Sequence, residues 1–154
     1  MTLVELLLCC VVLTAGLSAL VATANAVRTT FADEQTRDTL RRLRLALNQY
    51  HSDTGQWPGG DTDTALLNLM QHTGAARLLK DVPINTDGQR YARVLDGYGE
   101  VIRFKAAASD LFGRPDFVSA GPDGFFGDPA SPDTDIAAMA SDNIYGSDTE
   151  GATP

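Results

Sequence analysis

Glu5 is the first residue of this chain whose chemistry calls for an explanation. It heads residues 6–27, a stretch that holds no Asp, Glu, Lys or Arg. As a helix that stretch is about 33 Å long, enough to cross a bilayer core of about 30 Å. An acid at mid-depth in a membrane costs about 2.5–3.5 kcal/mol, so a carboxylate placed there needs a countercharge or a task. Two plainer placements stay open: Glu5 at the headgroup level, or Glu5 as a favourable charge at a helix N-terminus. No Lys or Arg precedes the stretch, whereas a secretory leader opens with a basic region. The first cation is Arg28.

A second group of chemically capable residues lies at the other end. The formal net charge is -8. From Ala106 onward the acids are Asp110, Asp116, Asp123, Asp128, Asp133, Asp135, Asp142, Asp148 and Glu150, against Arg114 alone, so this third carries the whole surplus. It is also rich in Gly, Ser and Pro, and such a segment either stays disordered or folds around cations. A net acidic chain lacks the clustered cations of a nucleic-acid surface, which excludes nucleic acid as a primary partner.

Catalysis is not signalled. His51 and His72 are the only histidines, and neither has a second ligand at zinc spacing. Ser119 has no adjacent histidine to activate it. No phosphate loop or paired-cysteine motif is present, and Asp133-Thr134-Asp135 lacks the Gly and closing Glu of an EF-hand. Cys9 and Cys10 are neighbours in an apolar run, which excludes a disulfide framework. The expectation is a protein that performs no chemistry of its own.

The elements that position these residues follow from periodicity. Leu40, Leu43, Leu47 and Tyr50 recur at three- and four-residue steps, which continues the helix over 28–53 with one apolar stripe. Asp33 with Arg37 and Asp38 with Arg42 are acid-to-base pairs at i,i+4, worth about 0.2–0.5 kcal/mol each. Gly55 and Pro58 stop the helix. The stripe is expected to pack on the chain's own head; a coiled-coil seam is too short here. Residues 62–79 read as one further helix or two short ones, with Asp61 or Thr62 as N-cap. Strands are expected at 90–95 and 101–105 around the turn Asp96-Gly97-Tyr98-Gly99, at 117–120, and at 143–145. Together these give a small antiparallel sheet covered by the long helix, an α+β architecture. The organisation is then 1–27 apolar helix, 28–53 amphipathic helix, and 54–154 globular head.

The opening Met1-Thr2-Leu3-Val4-Glu5-Leu6-Leu7-Leu8 resembles the mature N-terminus of type IV pilins and of type II secretion pseudopilins. Asp96-Gly97-Tyr98-Gly99 with Ile102-Arg103-Phe104 resembles the Asp-Pro-Trp-Gly turn and following strand of major pseudopilins. Residues Phe117 to Asp128 resemble their Ser-x-Gly-x-Asp-Gly-x-x-Gly loop. The absence of any cysteine beyond Cys10 favours that branch over ordinary pilins, which commonly close their C-terminal region with a disulfide.

The resemblance implies a pilin fold and a bacterial subunit that polymerises through its N-terminal helix. It implies removal of a leader by a prepilin peptidase. Met1 then stands where the family usually has an N-methylated phenylalanine, and Glu5 meets the terminal amine of a neighbouring subunit. It implies a single-pass inner-membrane protein with a periplasmic head, built by an assembly platform with minor pseudopilins into a type II secretion fibre. It also implies calcium on the acidic loop, with Ser119, Asp123 and Asp128 from the motif. The closing acid is Asp142 or Asp135; Asp142 is favoured because 143–145 reads as a strand that would lock the loop. Asp133 and Asp135 then lie on an excursion or form an additional site, and a solvated loop without an ion is the plain alternative. Two other functions stay open: a long extracellular pilus for adhesion or DNA uptake, and a membrane-anchored monomeric calcium-dependent binding domain or enzyme.

Overall fold

The structure, a computed structural model, describes residues 3–87, 90–106, 114–127, 135 and 140–151. Helix α1 runs Leu3–Thr54, α2 Thr62–Gln71 and α3 Thr73–Leu78. The strands are β1 Ile84–Thr86, β2 Ala92–Val94, β3 Arg103–Lys105, β4 Asp116–Ser119 and β5 Ile144–Tyr145, and a 3-10 helix follows at Gly146–Gly151. The fold is α+β, with a long helix and small antiparallel sheets.

The chain divides into two units, Met1–Phe31 and Ala32–Pro154. In the first, α1 carries large apolar side chains that are exposed: Val4, Leu7, Val11, Val12, Leu13 and Leu20 lie between 57% and 74% exposed. Among the described residues no helix is long and apolar enough to cross a membrane. The charge-free stretch 6–27 includes side chains outside the described residues, so the expected span lies partly outside them.

In the second unit the α1 stripe behaves as its periodicity requires. Thr36, Leu40, Leu43, Ala46 and Leu47 are wholly buried, joined by Leu66 and Leu69 of α2 and by Val94, Ile102 and Phe117. A fully buried Leu or Phe contributes about 1.5–3 kcal/mol, so this stripe is a principal source of the unit's stability. Both expected i,i+4 pairs form, Arg37 to Asp33 at 3.2 Å and Arg42 to Asp38 at 2.9 Å. The helix ends one residue later than expected, where Gly55 adopts φ 71° and donates its N–H to the His51 carbonyl. Trp57 packs on the core edge and stacks on the His51 ring at 4.0 Å.

Of the two readings of residues 62–79, the structure has the two short helices. His72 is extended (φ -84°, ψ 119°), closing α2 and capping α3 by accepting the Ala75 N–H at Nδ1. Asp61 is the N-cap of α2, its carboxylate accepting the Thr64 N–H at 2.9 Å. The hydrogen bonds with the Thr64 side chain and then its N–H hold the Asp61 carboxyl below the usual carboxylate range.

The expected single sheet is instead two. β1 pairs with β2 antiparallel, with Asn85 opposite Arg93; β4 lies between β3 and β5, with Phe104 opposite Phe117 and Ser119 opposite Ile144. The hairpin around 96–99 exists, closed by the bridge Leu95–Val101 and by Ile102 N–H to Val94 carbonyl. Beyond that contact each arm finds a different partner, β2 in the unanticipated β1 and β3 in β4. The strand expected from Arg90 starts only at Ala92, because the Asp87 carboxylate takes the N–H groups of Arg90 and Tyr91 into a local turn.

Candidate functional site

β4 is buried along its whole length, yet it begins with Asp116 and ends with Ser119. Buried polar groups need partners, and the two that these residues find position the acidic loop. At the near end, Arg44 of α1 stands 3.2 Å from Asp116, whose carboxylate also accepts the N–H groups of Phe117 and Ser147. At the far end, the Ser119 hydroxyl donates to Asp96 at 2.5 Å and accepts the Gly121 N–H at 3.0 Å. The other Asp96 oxygen accepts from the Tyr98 and Glu100 N–H groups. A chain of hydrogen bonds therefore runs from the hairpin turn through Ser119 to the start of the loop.

The turn at 121–124 needs glycine at both ends, with φ 73° at Gly121 and 72° at Gly124. A side chain on Gly121 would overlap the Asp142 carbonyl, so the loop lies directly on the segment that follows Ala140. Asp123 faces Asp142 across this contact: its N–H donates to Asp142 Oδ2 at 3.3 Å, while its own Oδ1 accepts the Phe125 N–H. Asp142 Oδ1 is buried with no hydrogen-bond partner among the described residues, and so are Oδ1 and Nδ2 of the neighbouring Asn143. An orphaned buried carboxylate oxygen costs about 1–3 kcal/mol or more, and a cation would offset that cost.

A cleft of about 290 Å³ opens beside this contact, lined among others by Asp33, Arg37, Tyr98, Asp142, Asn143 and Asp148. Burial foremost, then the charges of Asp33 and Asp96, raises the Tyr98 phenol above its ordinary value. The phenol therefore stays a neutral donor at physiological pH.

Of the residues singled out from sequence, the structure brings Asp123, Asp142 and Ser119 to one loop base. The Ser119 hydroxyl is already engaged with Asp96 and Gly121. Asp135 is exposed, and Asp128 and Asp133 lie outside the described residues. Among the described residues no group of three His, Cys, Asp or Glu side chains could hold a metal ion. The donor chemistry nonetheless suits a hard cation: two carboxylates, one with a spare buried oxygen. Glu5 is exposed in the first turn of α1, and Met1 lies outside the described residues.

Sequence reasoning passed over Arg44, and it named Asp96 only as a turn residue and Asp116 only among the surplus acids, not as supports of the loop. Arg44 did carry a signal, since it falls four residues after Leu40 and so stands on the buried stripe. No family model, curated protein or solved structure matches the chain.

Proposed function

We propose that this chain is the structural subunit of a helical filament of the type II secretion pseudopilus kind, assembled through the N-terminal part of α1. The observation that carries the reading is the first unit: a charge-free helical stretch, headed by Glu5, with large apolar side chains exposed in the isolated chain. Exposed apolar surface on this scale marks a membrane or protein contact. Before assembly the stretch lies in the bacterial inner membrane with the head in the periplasm. In the fibre it packs among identical helices, and Glu5 meets the terminal amine of an adjoining copy. Opposite charges in a low dielectric attract strongly once they meet, so a single acid can set the register of the stack.

A prepilin peptidase and an inner-membrane platform with minor pseudopilins are the partners this role requires. Calcium on Asp123 and Asp142, with Asp128, would fix the head loop; the orphaned Asp142 oxygen supports that part of the reading. The subunit carries out no catalysis. The fibre's length separates this role from that of a long extracellular pilus, and microscopy of cell envelopes measures it directly.

Glu5→Leu tests the proposal. The variant should still fractionate with membranes but should form no fibres under electron microscopy. Fibres of normal number and length from that variant would overturn the filament reading in favour of a monomeric anchored domain.

A further inference from the structure

A second cleft, of about 310 Å³, lies on the opposite chemistry. It is lined by Asp38, Arg41, Arg42, Leu45, Arg77 and Leu78, which belong to α1 and α3. Arg42 is held by Asp38 at 2.9 Å and by Asp81 at 3.2 Å. Arg41 and Arg77 are exposed and make no ion pair among the described residues. Leu45, in the same cleft, is 47% exposed although it sits in the amphipathic half of α1, where the other leucines are buried. The cleft thus offers cationic groups around an uncovered apolar patch, in a chain whose net charge is -8.

We infer that this cleft is the docking surface for the acidic C-terminal third of a second copy of the chain. The inference rests on the filament reading and adds a contact between heads to the one at Glu5. Charge complementarity identifies the occupant. Residues up to Lys105 balance their charges and the residues after it carry the whole surplus, so the positive cleft and the negative third belong to different parts of each molecule. Within that third Phe125 is 62% exposed, an apolar group in a segment that carries the whole acidic surplus. That pairing matches Leu45 and Leu78 rimmed by Arg41 and Arg77.

Symmetry makes the same choice. A surface that binds a different surface on an identical copy is heterologous, and such contacts propagate into open helical arrays where the rotation does not close. Stacked copies that did not offset their acidic thirds would repel one another over about 8–10 Å at ordinary ionic strength. The cleft removes that repulsion where the heads meet.

The test uses the full-length protein assembled into fibres from a mixture of isotopically light and heavy subunits. A photo-crosslinking amino acid replaces Leu45, and crosslinked peptides are identified by mass spectrometry. The expected products join position 45 of one copy to residues 106–154 of another, in mixed light and heavy pairs. Arg41→Glu with Arg77→Glu should abolish these products, and the milder Arg41→Gln with Arg77→Gln should reduce them and make the remainder more sensitive to salt. Products confined to a single copy, to other segments of a second copy, or to lipid would overturn the inference while fibres persist. Absence of fibres from the unaltered protein would remove the filament reading itself, and this contact with it.

Discussion

The buried Arg44–Asp116 pair yields an ordering of stabilities that a sequence-based guess would not give. Their side chains are only 8% and 9% exposed and 3.2 Å apart. Arg44 also donates to the Pro115 carbonyl at 3.2 Å. Asp116 serves three groups: the guanidinium and the N–H groups of Phe117 and Ser147. Arg44→Met keeps most of the stem volume and leaves the carboxylate with two amide donors, so its cost should be about 1–3 kcal/mol. Asp116→Ala takes the carboxylate away from the Arg44 guanidinium and removes the acceptor of two amides, so about 3–5 kcal/mol is expected. For a domain of this size about 4 °C is lost per kcal/mol, which puts Asp116→Ala about 12–20 °C below the parent. Arg44→Met with Asp116→Asn should recover only part of that loss: the charges of the pair are gone, but the asparagine oxygen can accept one of the two N–H groups and not both, since they fall on different carboxylate oxygens. Trp57, the only tryptophan, packs against the core and reports the transition by fluorescence. The reasoning fails if Asp116→Ala melts within a few degrees of the parent, or if Arg44→Met is the more damaging change.

Three further outcomes are expected. Calcium at 100 times its dissociation constant should stabilise the full chain by about 2.7 kcal/mol, read as a rise in Tm in detergent; Asp142→Ala should erase the rise, and an identical melt with calcium and with chelator would remove the site. Gly97→Ala should destabilise by about 1–3 kcal/mol, since the new methyl would overlap the Ala32 carbonyl, a backbone group that cannot rotate aside; urea unfolding measures it, and an unchanged midpoint contradicts the close approach. The Asp61 cap has a folded pKa below its unfolded one. Its contribution is therefore present above the ordinary carboxylate value of about 3.9 and fades as pH falls through the lower, folded value. Carbon-detected NMR should show Asp61 titrating below Asp residues in an unfolded reference, and Thr64→Ala should move it back up.

Much of the scaffold was legible because its signals are local. Leucine spacing marked the buried face of α1, the pair Asp61-Thr62 marked a cap, and the glycines around Tyr98 marked a hairpin. What escaped depends on residues far apart in the chain. Ile84–Thr86 reads as a polar stub after Pro83, and it becomes a strand only because β2 supplies a ladder. Whether the hairpin arms stay together or part depends on β1 and β4, which neither arm encodes. At the loop, the spacing of Gly121, Asp123 and Gly124 was visible, and so was the pull toward Asp142. Its supports were not, since Ser119 meets Asp96 across 23 positions and Asp116 meets Arg44 across a far longer interval. Hydrogen bonds of that range leave no periodic trace in sequence.

The partition of α1 between two units sets where this molecule can be cut. Leu40, Leu43 and Leu47 supply the interior of the second unit, which begins at Ala32. A soluble fragment started after Thr54 would lack one wall of its own interior and should collapse or aggregate. One started just before Ala32 keeps that wall and sheds the greasy extension, which makes it the fragment to carry into solution studies.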